Sequence, residues 1–113
     1  MSGLPDLVNQ QCEDIQPGTK SLVIPTIESY LNMLPGWDVS LDYASINKTF
    51  KFKNYHQTLA FINAVAWIAH QQDHHPDIQF GYNQCTITLK THSIKGLSQN
   101  DVIMAAKINA LLN

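Results

Sequence analysis

Two adjacent imidazoles in the run Asp73-His74-His75-Pro76, and a third at His92 behind the alternating run Cys85–Thr91, are the residues of this chain best suited to chemistry. Imidazole titrates near neutrality, so one ring can donate a proton while another accepts one at the same pH. Proline disfavours the α conformation in the residue before it, so His75 need not point the way it would inside a regular helix. His92 comes from a different element and would complete a proton-transfer cleft if its strand lay beneath the helix exit. Such a set suits a dehydration, in which a hydroxyl leaves as water while a nearby N–H or C–H loses its proton.

The same residues admit other readings. Any one of these histidines, taken singly, reads as a surface or helix-end residue favoured by the helix dipole. Clustering argues against that, because four of the five histidines fall between His70 and His92. His70 and His74 at i, i+4 resemble half of a zinc site, with Asp73, His75 or His92 as further ligands. The glutamate of an HExxH motif is absent, however, since Gln71-Gln72-Asp73 lie between them, and adjacent histidines rarely chelate one ion together. No metal is therefore expected. A serine nucleophile has weaker support, because Ser93 and Ser98 carry no elbow-like glycine pattern. His56 reads as a surface residue, and Trp37 and Trp67 as core or interface.

The elements that must position these groups follow from periodicity. Met1 to Ser21, with Pro5, Pro17 and Gly18, reads as a loose lead-in, leaving 22–113 as a single domain. Helical spacing begins near Thr26 with Ile27, Tyr30, Leu31 and Leu34 on one face, and Pro35-Gly36 stops it. Trp37, Val39 and Leu41 alternate as a strand. After a turn at Asp42–Ser45, a second strand places Ile46, Lys48, Phe50 and Phe52 on one face. The lysines Lys48, Lys51 and Lys53 read most simply as solvated.

The longest helix candidate runs from about Tyr55 to Asp73, with Leu59, Ile62, Val65, Ala66 and Ala69 as its stripe. Phe61, Trp67 and Ile68 lie off it, which implies a second burial surface, most simply a subunit contact. Ile78–Tyr82 and Cys85–Thr91 read as two more strands. A last helix begins at Ser98, where Ser98-Gln99-Asn100-Asp101 matches a capping box. Val102, Ala105, Ala106, Asn109 and Leu112 line one side of that helix. The order α-β-β-α-β-β-α predicts an α+β fold, a small antiparallel sheet with helices packed on one face.

Composition excludes several classes. The chain holds seven lysines and no arginine and carries a formal charge of −2. Without the guanidinium fork, direct nucleic-acid binding is not expected. The aromatics Phe50 and Phe52 alternate with Lys51 and Lys53 rather than forming a joint stacking platform. No segment is long enough to span a membrane, and the N-terminus lacks the pattern of a signal peptide, so a cytoplasmic location is expected. Cys12 and Cys85 read as free thiols, the first in a loop and the second buried.

These residues also carry a family resemblance. Pro35-Gly36-Trp37, Phe50-Lys51-Phe52, Asp73-His74-His75-Pro76, Tyr82-Asn83, Thr86–His92 and Gly96-Leu97-Ser98 with Asp101 and Ala105 are together similar to the pterin-4a-carbinolamine dehydratase family. The resemblance covers about Ile27 to the C-terminus. It implies a four-stranded antiparallel sheet with three helices, and association into a homodimer or homotetramer. It further implies conversion of a 4a-hydroxytetrahydropterin to quinonoid dihydropterin plus water without metal or cofactor. That reaction recycles the pterin of aromatic amino acid hydroxylases.

The family's catalytic histidines fall on His74, His75 and His92, with Pro76 as the motif proline and Asp73 and His70 as supporting or substrate-binding positions. His75 and His92 are expected to handle protons, with His74 positioning or acting as an alternate acid. At His70 many relatives carry glutamate, and a changed pH profile is expected from that substitution. Family members also act as binding partners, as a transcription-factor dimerisation cofactor and as assembly-factor-like relatives. The resemblance thus implies a competing role as an oligomeric interaction module with a vestigial pterin cleft.

Overall fold

A computed structural model describes residues 6–112 of the chain. Three helices, α1 (Ile24–Leu31), α2 (Tyr55–Gln72) and α3 (Gln99–Ala110), accompany four strands: β1 (Asp38–Val39), β2 (Ile46–Lys51), β3 (Asp77–Phe80) and β4 (Gln84–Leu89). Short 3-10 turns occupy Leu7–Asn9 and His92–Ile94. The sheet order is β1-β2-β4-β3, antiparallel throughout. This is the expected α+β architecture and element order.

Register explains which face of the sheet is covered. Ile46 lies opposite Leu89, Lys48 opposite Ile87 and Phe50 opposite Cys85. Successive strand residues alternate faces, so these six share one side. Ile46, Phe50, Cys85, Ile87 and Leu89 are buried there against the helices. On the other side Thr49 and Thr86 share a hydroxyl hydrogen bond of 2.8 Å across the strands. Phe50 bridges the layers, with its ring 6.2 Å from Trp37 and 4.6 Å from Phe61 of α2.

Lys48 corrects the expectation of a solvated lysine face. It lies on the covered face, half-buried, with Nζ 4.8 Å from the centre of the Phe50 ring. Its ammonium donates to Pro35 O at 2.8 Å and to Asn109 Oδ1 at 2.9 Å, the latter also accepting from Trp37 Nε1 at 3.0 Å. Burial lowers its pKa from the usual lysine value. Gly36 makes the approach possible. It sits at φ 85°, and a Cβ there would fall 2.6 Å from Lys48 Cε. Gly36 thus leaves room for this side chain, whereas α1 already ends at Leu31, ahead of the Pro35-Gly36 pair expected to stop it.

Three further expectations shift. Leu41 is fully exposed and belongs to a turn, where Asp42 Oδ1 accepts from Ser40 Oγ at 2.7 Å and Ala44 N at 3.0 Å. That side-chain bonding ends β1 after two residues. On α2 the buried stripe is Thr58, Phe61, Val65 and Ala69, so Phe61 is core, whereas Ala66 is exposed. On α3 burial runs from Asn100 through Ala105 and returns at Ile108, while Leu112 is exposed. The outer side of α3 is covered by the preceding chain: Leu7 is buried, and Lys107 Nζ donates to Val8 O at 2.8 Å.

Candidate active site

The histidine pair is placed by the way α2 ends. Asp73 adopts the left-handed conformation at φ 52°, ψ 43°. The His74 amide donates back to Ala69 O at 3.2 Å, and the Asp73 amide to His70 O at 3.4 Å. This 6→1 and 5→2 pairing is a Schellman closure, which satisfies the last carbonyls of the helix. The helix therefore stops at Gln72, ahead of Pro76, through a left-handed Asp73. The turn also carries His74 off the helix axis and towards α3.

There His74 meets a buried carboxylate. His74 Nε2 lies 2.6 Å from Asp101 Oδ1, with 11% of the His74 side chain and none of Asp101 exposed. Asp101 Oδ2 accepts from Thr91 Oγ1 at 2.7 Å and from Ser98 N at 2.9 Å. Thr91 and Ser98 hydroxyl oxygens are 2.6 Å apart. Thr91 has one hydroxyl proton and gives it to Asp101, so Ser98 must donate to Thr91. An acceptor at Oδ1 selects the His74 form with its proton on Nε2. One carboxylate thereby caps α3 with one oxygen and orients an imidazole with the other.

His92 opens the 3-10 turn that follows β4, rather than sitting on the strand as expected. Strand pairing gives way after Leu89 to an isolated bridge between Thr91 and Gly96, with Thr91 N donating to Gly96 O at 2.8 Å. Lys95, at φ 51°, closes the turn with its amide on His92 O at 3.2 Å.

His74, His75 and His92 line one cavity of about 520 Å³, together with Asp73, Pro76 and Asp77. Both His75 and His92 are exposed, so their rings are reachable from solvent. Lys90, Thr91, Ser93 and Asn100 also line it, as does the segment Cys12–Ile15. The volume falls within the range of small-molecule sites. His70 is placed elsewhere: its ring is 5.6 Å from that of exposed Trp67, and both line a separate hollow with Gln11, Gln71, Gln72 and Lys107. The i, i+4 pair His70 and His74 thus does not share the cavity.

Asp101, Asn100 and the Cys12–Ile15 wall are the site residues that sequence reasoning missed. Asp101 was visible as a helix cap, but its second oxygen carried no separate signal. Cys12 is half-buried, and burial pushes its thiol up to about 11, partly offset by Lys107 and reinforced by Asp101.

An α+β domain with an imidazole-lined cavity and no helix, among the described residues, long and apolar enough to cross a membrane is the class this geometry defines. Residues 21–111 match the family described as Pterin 4 alpha carbinolamine dehydratase, and the chain belongs to that family. A protein of Hydrogenovibrio crunogenus, provisionally named a pterin-4-alpha-carbinolamine dehydratase, is 64% identical over 107 residues, covering 95% of each chain. One of Nitrosomonas eutropha, with the same provisional name, is 47% identical, covering 99% of this chain and 98% of its own.

Solved structures agree in fold. A protein of Brucella melitensis described as a transcriptional coactivator/pterin dehydratase superposes with TM-score 0.79 at 33% identity, over 83% of this chain and 100% of its own. A pterin dehydratase-like protein identified as a RuBisCO assembly factor in the alpha-carboxysome gives 0.59 at 31% identity, over 67% of this chain and 88% of its own.

Proposed function

We propose that this chain is a hydro-lyase that dehydrates a 4a-hydroxytetrahydropterin to quinonoid dihydropterin and water. The observation that carries the reading is the presence of His74, His75 and His92 on one cavity, with His74 held by the buried Asp101. Family membership supports the substrate class.

In the reaction, the bond from the ring carbon to its hydroxyl breaks and the hydroxyl leaves as water. A ring N–H gives up its proton, and the nitrogen electron pair forms the new C=N bond. The catalyst thus supplies one proton, removes another and returns to its starting state. His75 and His92, exposed on the cavity, are the proton handlers. His74 is committed to Asp101 through Nε2, which suits it to orient the ring or to relay a proton through Nδ1. Positioned acid–base groups supply ~10²–10⁴-fold in rate. The protein is expected to act in the cytoplasm as a homodimer or homotetramer, in pterin recycling beside aromatic amino acid hydroxylases.

The test is turnover of a 4a-hydroxytetrahydropterin generated in situ, followed by absorbance with purified protein. Acceleration over the spontaneous reaction, lost when His74, His75 and His92 are replaced together, supports the proposal. Turnover surviving that triple replacement contradicts it.

A second reading has its own observation. Trp67 is 60% exposed and Tyr82 64%, the latter stacked 6.4 Å from Tyr55 beside exposed Phe80 of the edge strand β3. Apolar surface of this kind suits a protein-binding role, the competing interaction module with a vestigial cleft. An inactive protein that still assembles or captures a partner would favour it.

A further inference from the structure

Part of the lining that the histidines share, Cys12–Ile15, comes from the start of the chain, outside the matched span 21–111. Its attachments are specific. The Cys12 amide donates to Gln72 Oε1 at 2.7 Å. The Asn100 side chain grips Glu13 on both backbone groups, accepting from its N–H at 3.0 Å and donating to its carbonyl at 2.6 Å. Ser93 Oγ donates to Ile15 O at 3.1 Å. Gln72 stands two residues before His74, Asn100 adjoins the Asp101 that holds His74, and Ser93 follows His92. The segment is therefore tied to each of the three pieces of backbone that carry the site.

Asn100 stands out because it is only 5% exposed and spends both ends of its amide on a single residue of an otherwise irregular segment. A buried amide with both ends satisfied holds its partner in one register, since displacement would leave polar atoms unpaired. We propose that Cys12–Ile15 is a specificity wall of the cavity, pressed against the bound ring and held there by Asn100 with Gln72 and Ser93. The proposal rests on the pterin reading of the cavity. A wall that touches ligand equally in ground and transition states changes KM and leaves kcat nearly untouched. Asn100 is then a positioning residue, and Cys12–Ile15 the residues that meet the ligand.

The test combines Asn100→Ala with Gln72→Ala, a half-buried position that serves if the first variant fails to fold. Labelling of Cys12 by a thiol reagent at pH 8 reports release of the wall, since Cys85 is 1% exposed. Moving the Cys12 pKa from about 11 back to the ordinary 9.0 raises the thiolate fraction ~100-fold. Lower nucleophilicity of the more acidic thiol trims the gain to roughly tenfold.

The expected result is labelling faster by about that factor and KM for the carbinolamine raised about tenfold, the weight of one or two hydrogen bonds, with kcat within twofold. Faster labelling with unchanged KM, or a loss confined to kcat, overturns the specificity role. Unchanged labelling overturns the clasp. If the wild-type protein neither turns over nor binds a dihydropterin, the pterin reading falls and takes the inference with it. A failure in the variants alone removes only the inference.

Discussion

Replacing Asp101 by asparagine keeps the size of the side chain and removes one acceptor. At present Oδ1 faces His74 Nε2 at 2.6 Å, while Oδ2 takes Thr91 at 2.7 Å and Ser98 N at 2.9 Å. Asparagine has one oxygen, which serves either the helix cap or the imidazole. If it keeps the cap, its NH₂ points at Nε2, and His74 must move its proton to Nδ1. A hydrogen bond involving a charged group is worth about 1.5–3 kcal/mol, or roughly 10–150-fold in an equilibrium. At about 4–5 °C per kcal/mol for a domain of this size, Tm should fall by roughly 6–15 °C.

Turnover should fall by at least about tenfold, because the wrong His74 tautomer faces the cavity. A double-mutant cycle isolates the pathway. In a His74→Ala background, Asp101→Asn should cost less than about threefold in kcat, since its effect passes through the missing ring. The measurements are thermal unfolding by circular dichroism and steady-state dehydration kinetics. Full multiplicative losses in the double variant, or turnover of Asp101→Asn within twofold of wild type, would refute the coupling.

Other outcomes follow from the same geometry. His75→Ala and His92→Ala should each lower kcat by ~10²–10⁴-fold in the dehydration assay while leaving Tm nearly unchanged, because both side chains are exposed. Asp73→Gly relieves a left-handed residue at φ 52° and should stabilise the chain by about 0.5–1 kcal/mol, read as a rise in urea midpoint. Cys12 titrates higher in the folded chain, at about 11 against 9.0. The folded state therefore holds its proton more tightly, and this contribution, complete below pH 9, is lost as pH rises through 11. Cys12→Ala should flatten that part of the stability curve measured by denaturant unfolding.

The amount legible in the sequence depended on how local each signal was. Helices and strands with repeating apolar residues were visible because burial on one face imposes a period. The adjacency of His74 and His75 and the Ser98–Asp101 cap are written in consecutive residues. The bond between His74 and Asp101 spans 27 positions, and periodicity is blind to it. Lys48 read as solvated because its charge suggested water, whereas a missing Cβ at Gly36 and two acceptors provide its partners. His70 looked like part of the cluster by its i, i+4 spacing, yet the turn at Asp73 carries His74 away from it. The Cys12–Ile15 wall has no signal in the sequence because it is gripped by its backbone atoms, which carry no residue-type signature.

The most direct measurement is a crystal structure of the protein with a dihydropterin analogue bound. The expected result is the ring seated between Cys12–Ile15 and the histidines, with polar ring atoms at hydrogen-bonding distance from His75 and His92 and with His74 still on Asp101. An analogue bound outside this cavity, or lying within it without touching either imidazole, would contradict the acid–base account.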